Sequence, residues 1–102
     1  MKLLDCLKPG KIYLIETVSS LIAYDDRDII QVIGLNKFRL LASTLHWIIT
    51  TDTDRPIKNI YENIDYPIID NSLRVKEITI SEFPLYMDWK YIAPEFYKKV
   101  QE

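Results

Sequence analysis

The sequence predicts an α+β fold that is mostly β. The expected form is a small antiparallel sheet or a partly open SH3-like barrel, with one short amphipathic helix at about 55–64 and a short C-terminal helix. Three observations carry this expectation. Short runs rich in β-branched and aromatic residues recur at 11–18, 28–33, 37–42, 45–51 and 73–80, a spacing typical of a compact meander or small barrel. Ile57, Ile60, Tyr61 and Ile64 break that pattern with one apolar stripe at helical repeat. Finally, 102 residues, 48% of them hydrophobic, suffice for one core and not for two, so residues 1–102 read as one domain.

Leu3, Cys6 and Leu7 stand at helical spacing, but Pro9 stops any helix after one or two turns and biases Lys8 toward extended backbone. Pro9 and Gly10 then turn the chain into a strand at 11–18. There Ile12, Leu14 and Val18 alternate with Tyr13, Ile15 and Thr17. Apolar groups on both sides predict a strand covered on both faces or wrapped into a barrel. Runs at 21–24 and 28–33 flank Asp25, Asp26 and Arg27, which lack the glycine of a tight turn and read as a longer hairpin loop.

Gly34 and Asn36 mark a second turn, into 37–42, where Phe38, Leu40 and Ala42 are expected to face one way and Arg39 the other. Residues 45–51 repeat the pattern with Leu45, Trp47 and Ile49 on one side. Asp54 is a good N-cap and Pro56 suits the first turn of the helix at 55–64. In the run at 73–80, Leu73 and Val75 are out of phase with Ile78 and Ile80, which predicts a bulge near Lys76 and Glu77 in a bent or edge strand. The tail ends in a helix at 94–101, with Glu95 early and Lys98 and Lys99 late.

Thirteen basic and fifteen acidic residues are interspersed, for a net charge of −2, a balance that favours no polyanionic partner and makes nucleic acid an unexpected one. A single cysteine excludes an internal disulfide and points to a reducing compartment, the cytoplasm. Asp5 and Lys8 interrupt the first apolar run before it resembles an export signal. The longest apolar stretch, 40–49, is broken by Ser43, Thr44 and His46 and is about half the ~20 residues of a membrane span. Abundant Ile, Lys, Asp and Tyr beside only two glycines is a composition associated with AT-rich genomes, such as those of many phages and low-GC bacteria.

Catalytic and metal chemistry find little support. His46 is the one histidine; Asp52 and Asp54 follow it, and Ser43 or Thr44 could be imagined as a nucleophile, yet no nucleophile elbow or oxyanion glycine accompanies them. One His and one Cys cannot supply the three or four N/S ligands of zinc. Asp25, Asp26 and Asp28, like Asp52 and Asp54, lack the turn glycine and distal glutamate of a calcium loop. Catalytic residues, metals and cofactors are therefore not expected, and Cys6 reads as a small buried packing residue.

The least explained feature is the aromatic tail. Phe83, Tyr86, Trp89, Tyr91, Phe96 and Tyr97 are interleaved with Asp88, Lys90, Lys98 and Lys99. Tyrosine and tryptophan dominate binding hot spots and also stack on nucleobases beside cations. Tyr86, Trp89, Lys90, Tyr91 and Tyr97 are therefore the candidate binding residues. The competing reading makes the tail a lid over the core, and it is the expectation for Phe83, Trp89 and Phe96.

These observations lead to the expectation of a non-enzymatic small binding protein whose partner is another protein, in the manner of a phage or mobile-element accessory factor that blocks a host protein. The alternative is sequestration of a nucleotide-type small molecule in a pocket between subunits of a homo-oligomer, with Arg39, Arg55, Arg74 and Lys90 as cations. An enzyme would need groups that the sequence does not supply.

Overall fold

The computed structural model describes residues 1–18, 25–34, 37–44, 63–68, 73–94 and 96. Four antiparallel strands, β1 (Ile12–Val18), β2 (Asp25–Gly34), β3 (Lys37–Ser43) and β4 (Leu73–Ile78), form one open sheet in the order β3-β2-β1-β4. The expected small α+β fold is thus realised as an open sheet and not as a barrel. Helix α1 (Leu3–Cys6) precedes β1. A 3-10 turn (Ile80–Glu82), helix α2 (Phe83–Tyr86) and a second 3-10 turn (Trp89–Tyr91) follow β4.

The Pro9-Gly10 turn forms as expected. Gly10 adopts φ 81°, a left-handed value that is open to glycine because it has no Cβ. Its N–H donates to the Val32 carbonyl at 2.7 Å, and Val32 N–H donates to the Lys11 carbonyl at 3.1 Å, so the turn is tied to β2 before β1 begins.

Directly opposed residues of antiparallel strands share a face, and the registers therefore define two faces. The first carries Tyr13, Ile15, Ile30, Val32, Phe38, Leu40, Leu73 and Val75. The second carries Ile12, Leu14, Glu16, Arg27, Ile29, Ala42, Arg74, Lys76 and Ile78. Both are covered, as the doubly apolar β1 predicted: Tyr13, Leu14 and Ile15 are all buried. On the first face lies α1, where Lys8 N–H donates to the Tyr13 hydroxyl at 2.9 Å and Leu3 and Leu7 join the core. Cys6 is half-buried, with Sγ 3.5 Å from the Lys2 carbonyl. On the second face lies α2, with Phe83 and Met87 buried.

Several sequence expectations are corrected. Asp25, Asp26 and Arg27 are not a hairpin loop but the start of β2, paired with Val18, Thr17 and Glu16; charged residues are accommodated because Arg27 pairs with Glu16 across the strands. No bulge occurs at Lys76 and Glu77, since the β1·β4 register runs unbroken from Thr17↔Leu73 to Ile12↔Ile78. The phase change along β4 has another cause: with both faces covered, Leu73 is buried on one side and Ile78 on the other.

The irregularities lie instead between β2 and β3, where the register shifts between Ile29/Ile30 and between Val32/Gly34. Ile29 faces Ala42 but Ile30 faces Leu40, which leaves Leu41 as the extra residue and turns Ala42 to the face opposite Phe38 and Leu40. The run at 73–80 ends early, at Ile78. There Glu82 Oε1 accepts from Thr79 N–H at 3.0 Å while Glu82 N–H donates to the Thr79 carbonyl at 3.1 Å, a reciprocal start to the 3-10 turn.

The expected strands at 21–24 and 45–51 and most of the helix at 55–64 lie outside the described residues. Asn63 and Ile64, the end of that expected helix, are described and are not helical. Pro94 and Phe96 are helical, in keeping with a short C-terminal helix. Among the described residues, no helix is long and apolar enough to cross a membrane.

Candidate binding surface

The segment after β4 is anchored at intervals by residues that enter the core. Phe83, Met87, Ile92, Ala93 and Phe96 are buried, and backbone bonds hold the turns between them: Met87 N–H to the Phe83 carbonyl at 2.8 Å, Tyr91 N–H to Asp88 at 2.9 Å and Ile92 N–H to Trp89 at 3.1 Å. Ala93 N–H donates to the carbonyl of Leu41, the extra residue of β3, at 2.9 Å, and Ile92 bridges to Ala42. The segment thereby pairs with the outer side of β3. Between the anchors, Pro84, Leu85, Asp88, Trp89 and Lys90 are exposed.

Tyr86 is half-buried and held at both ends. Arg27 Nη1 donates to its carbonyl at 3.0 Å, and Lys76 Nζ donates to its hydroxyl at 2.6 Å while standing 5.2 Å from its ring centroid. The hydroxyl, first as a hydrogen-bond partner and then through its charge, raises the Lys76 ammonium above its ordinary pKa. Arg27 also donates from Nε to Glu16 at 3.2 Å. Tyr86 therefore acts as a clasp between α2 and the second face, and much of its polar capacity is used within the molecule.

Trp89 is 66% exposed, so it is not the core lid that the sequence led us to expect, whereas Phe83 and Phe96 are core residues as expected. Lys90 is exposed, with Nζ 5.1 Å from the ring centroid of the half-buried Tyr91. Tyr97 lies outside the described residues. The structure thus assembles Trp89, Lys90 and Tyr91 on one 3-10 turn and sets Tyr86 apart as an anchor. Leu85, 74% exposed and four residues before Trp89, was missed by sequence reasoning. A signal existed: Phe83 and Met87 at i and i+4 define the buried side of α2, and Leu85, midway between them, must point away.

Among the described residues, the other candidates are not brought together. Arg74 is exposed on β4, Arg39 is half-buried on β3, and His46 and Arg55 lie outside the described residues. A cleft of about 180 Å³ between α1 and the first face is lined by Leu3, Cys6, Leu7, Tyr13, Tyr66, Val75 and Glu77, smaller than the roughly 300–1,000 Å³ of small-molecule sites. A depression of about 730 Å³ between the Pro9-Gly10 turn and the end of β4 is wide open to solvent and includes none of these candidates. Among the described residues, no three His, Cys, Asp or Glu side chains are grouped as metal ligands. Comparison with protein-family models, characterised proteins and solved structures finds no match for this chain.

Proposed function

We propose that this chain is a non-enzymatic protein-binding module whose contact surface is the stretch carrying Leu85, Trp89, Lys90 and Tyr91. One observation carries the reading: Leu85 and Trp89 are 74% and 66% exposed on a segment whose neighbours Phe83, Met87 and Ile92 are buried. A large side chain held outward by fixed backbone loses little freedom on binding and contributes strongly once desolvated. A chain of this size could block a partner by covering one of its surfaces, the role expected of a phage or mobile-element accessory factor.

The test compares wild type with Trp89→Ala and Leu85→Ala, each first shown to melt as wild type does. Proteins captured by wild type from a host lysate are identified, and their affinities are remeasured with purified components. Trp89→Ala is expected to weaken the true partner roughly thirtyfold, the equivalent of ~2 kcal/mol, with little dependence on ionic strength. Retention of every partner by both variants refutes the reading. Tight binding of a nucleotide that weakens steeply with salt favours the sequestering alternative instead.

A further inference from the structure

The two edges of the sheet differ. The outer side of β3 is occupied by Ile92 and Ala93, whereas β4 is the last strand on its side and nothing among the described residues pairs with its outer side. An open edge presents backbone N–H and C=O groups ready to accept another strand. Side chains decide which strand. On the second face β4 presents Arg74 and Lys76, both exposed; on the first it presents buried Leu73, half-buried Val75 and exposed Glu77. Glu77 is offset by Lys11, 3.4 Å away. Arg74 makes no ion pair among the described residues. The edge is therefore cationic on one face and apolar to neutral on the other.

A second copy of the chain is a poor occupant. Two antiparallel edge strands related by a two-fold axis must keep their faces aligned, so only residues of the same parity can stand opposite one another. Centred on Arg74, the pairing sets Arg74 against itself. A centre at Val75 sets Arg74 against Lys76, one at Lys76 sets Lys76 against itself, and one at Glu77 sets Glu77 against itself. Each register that aligns three or more residues of β4 thus places like charges directly opposite, which is destabilising. The same pattern that rejects a copy is matched by a strand with two acidic residues flanking one apolar residue.

From this pattern we infer that the outer edge of β4 accepts an extended acidic-apolar-acidic segment of a partner protein as a fifth, antiparallel strand. The acidic side chains lie opposite Lys76 and Arg74 and the apolar one opposite Val75. Main-chain hydrogen bonds supply the attachment and the alternate side chains supply selectivity. This edge is separate from the Trp89 surface, and the inference does not depend on it.

Two end-capped hexapeptides test the idea by titration into the isotopically labelled full chain: Val-Thr-Glu-Val-Glu-Ile and its charge-reversed form Val-Thr-Lys-Val-Lys-Ile. The acidic peptide is expected to saturate at or below about 1 mM, with the largest amide shifts at residues 73–78. The basic peptide is expected to bind at least about tenfold more weakly, because two cross-strand pairs change sign. Arg74→Glu should narrow or reverse that preference, and Arg74→Gln should reduce it without reversal, each variant checked for native melting. Failure of the acidic peptide to saturate, equal binding of both peptides, or shifts centred away from 73–78 would overturn the inference.

Discussion

The two faces of the sheet are sealed by different means. Over the first face, α1 is brought in by the tight Pro9-Gly10 turn and secured through backbone: Leu3 N–H donates to Ile64 and Tyr66 N–H to Met1, each at 2.8 Å. The ion pair of Lys2 with Asp65 on this cover is exposed. Over the second face the cover comes from the far side of β4, and charged side chains rising from the strands meet it. Arg27 and Lys76 both hold Tyr86, above a base formed by Phe83 and Met87. Apolar burial supplies most of the free energy on both sides. The polar contacts of the second face fix where α2 sits, because a charged donor restricts orientation more sharply than a methyl group does.

The comparison can be broken most severely at its apolar bases. Phe83→Ala is expected to cost about 4 kcal/mol and Leu3→Ala about 3 kcal/mol, both within the range for emptying a core position. In a domain of this size each kcal/mol moves the melting temperature by roughly 4–8 °C. Near-native melting in either variant would mean that the corresponding cover is not seated as described.

A smaller effect separates the faces by chemistry. Arg27→Met keeps most of the stem but removes the bonds to Glu16 and to the Tyr86 carbonyl, and it should cost about 1 kcal/mol in denaturant titration. Amide exchange should quicken at Met87 in this variant while Leu3 and Tyr66 keep their protection. Equal loosening of both faces would show that they are not independent.

The smallest effects are those of pH. Lys76 has a raised pKa in the fold, so its contribution is complete below the ordinary lysine range and is lost as pH rises through the raised value. Tyr86→Phe should remove that contribution, lowering melting slightly at neutral pH, where it is complete, and flattening the alkaline dependence. Asp65 has a lowered pKa, held down first by the hydrogen bond from Lys2 and then by its charge. Its contribution is present above the ordinary carboxylate range and is lost as pH falls through the lowered value, and Lys2→Gln should remove it. Added salt should blunt both effects, since these groups are exposed.

Local pattern in the sequence revealed β1, the Pro9-Gly10 turn and the mostly β character, because alternation and turn chemistry are properties of neighbouring residues. It misplaced the bulges. Leu41 is extra only in relation to Ile29 and Ile30, and a register is a property of two strands that neither strand carries alone. The sequence of β4 was over-read for the complementary reason: an apolar residue on the opposite parity signals a bulge only when a single face is covered, and here Leu73 is buried on one face and Ile78 on the other. At the candidate surface, composition found Trp89, Lys90 and Tyr91 but assigned Trp89 to the core, since aromatic identity does not reveal direction. Thr79 and Glu82 at capping-box spacing were legible and would have ended β4 at the right place.

The order β3-β2-β1-β4 also has a consequence for how the chain is made. β1 is an inner strand, yet its second neighbour, Leu73–Ile78, lies far along the chain. A ribosome adding 5–20 residues per second needs roughly 3–10 s to span the intervening stretch. During that interval β1 offers a nascent edge flanked by Tyr13, Leu14 and Ile15, uncharged and strongly β-forming, the kind of edge that recruits other chains. β4 then overlays it with Arg74, Lys76 and Glu77. The last strand to arrive works as a charged hem on an apolar cloth, and chains interrupted or clipped before Leu73 are the species expected to aggregate. Light scattering from a fragment of residues 1–72, set against the full chain at equal concentration, measures how much protection that hem provides.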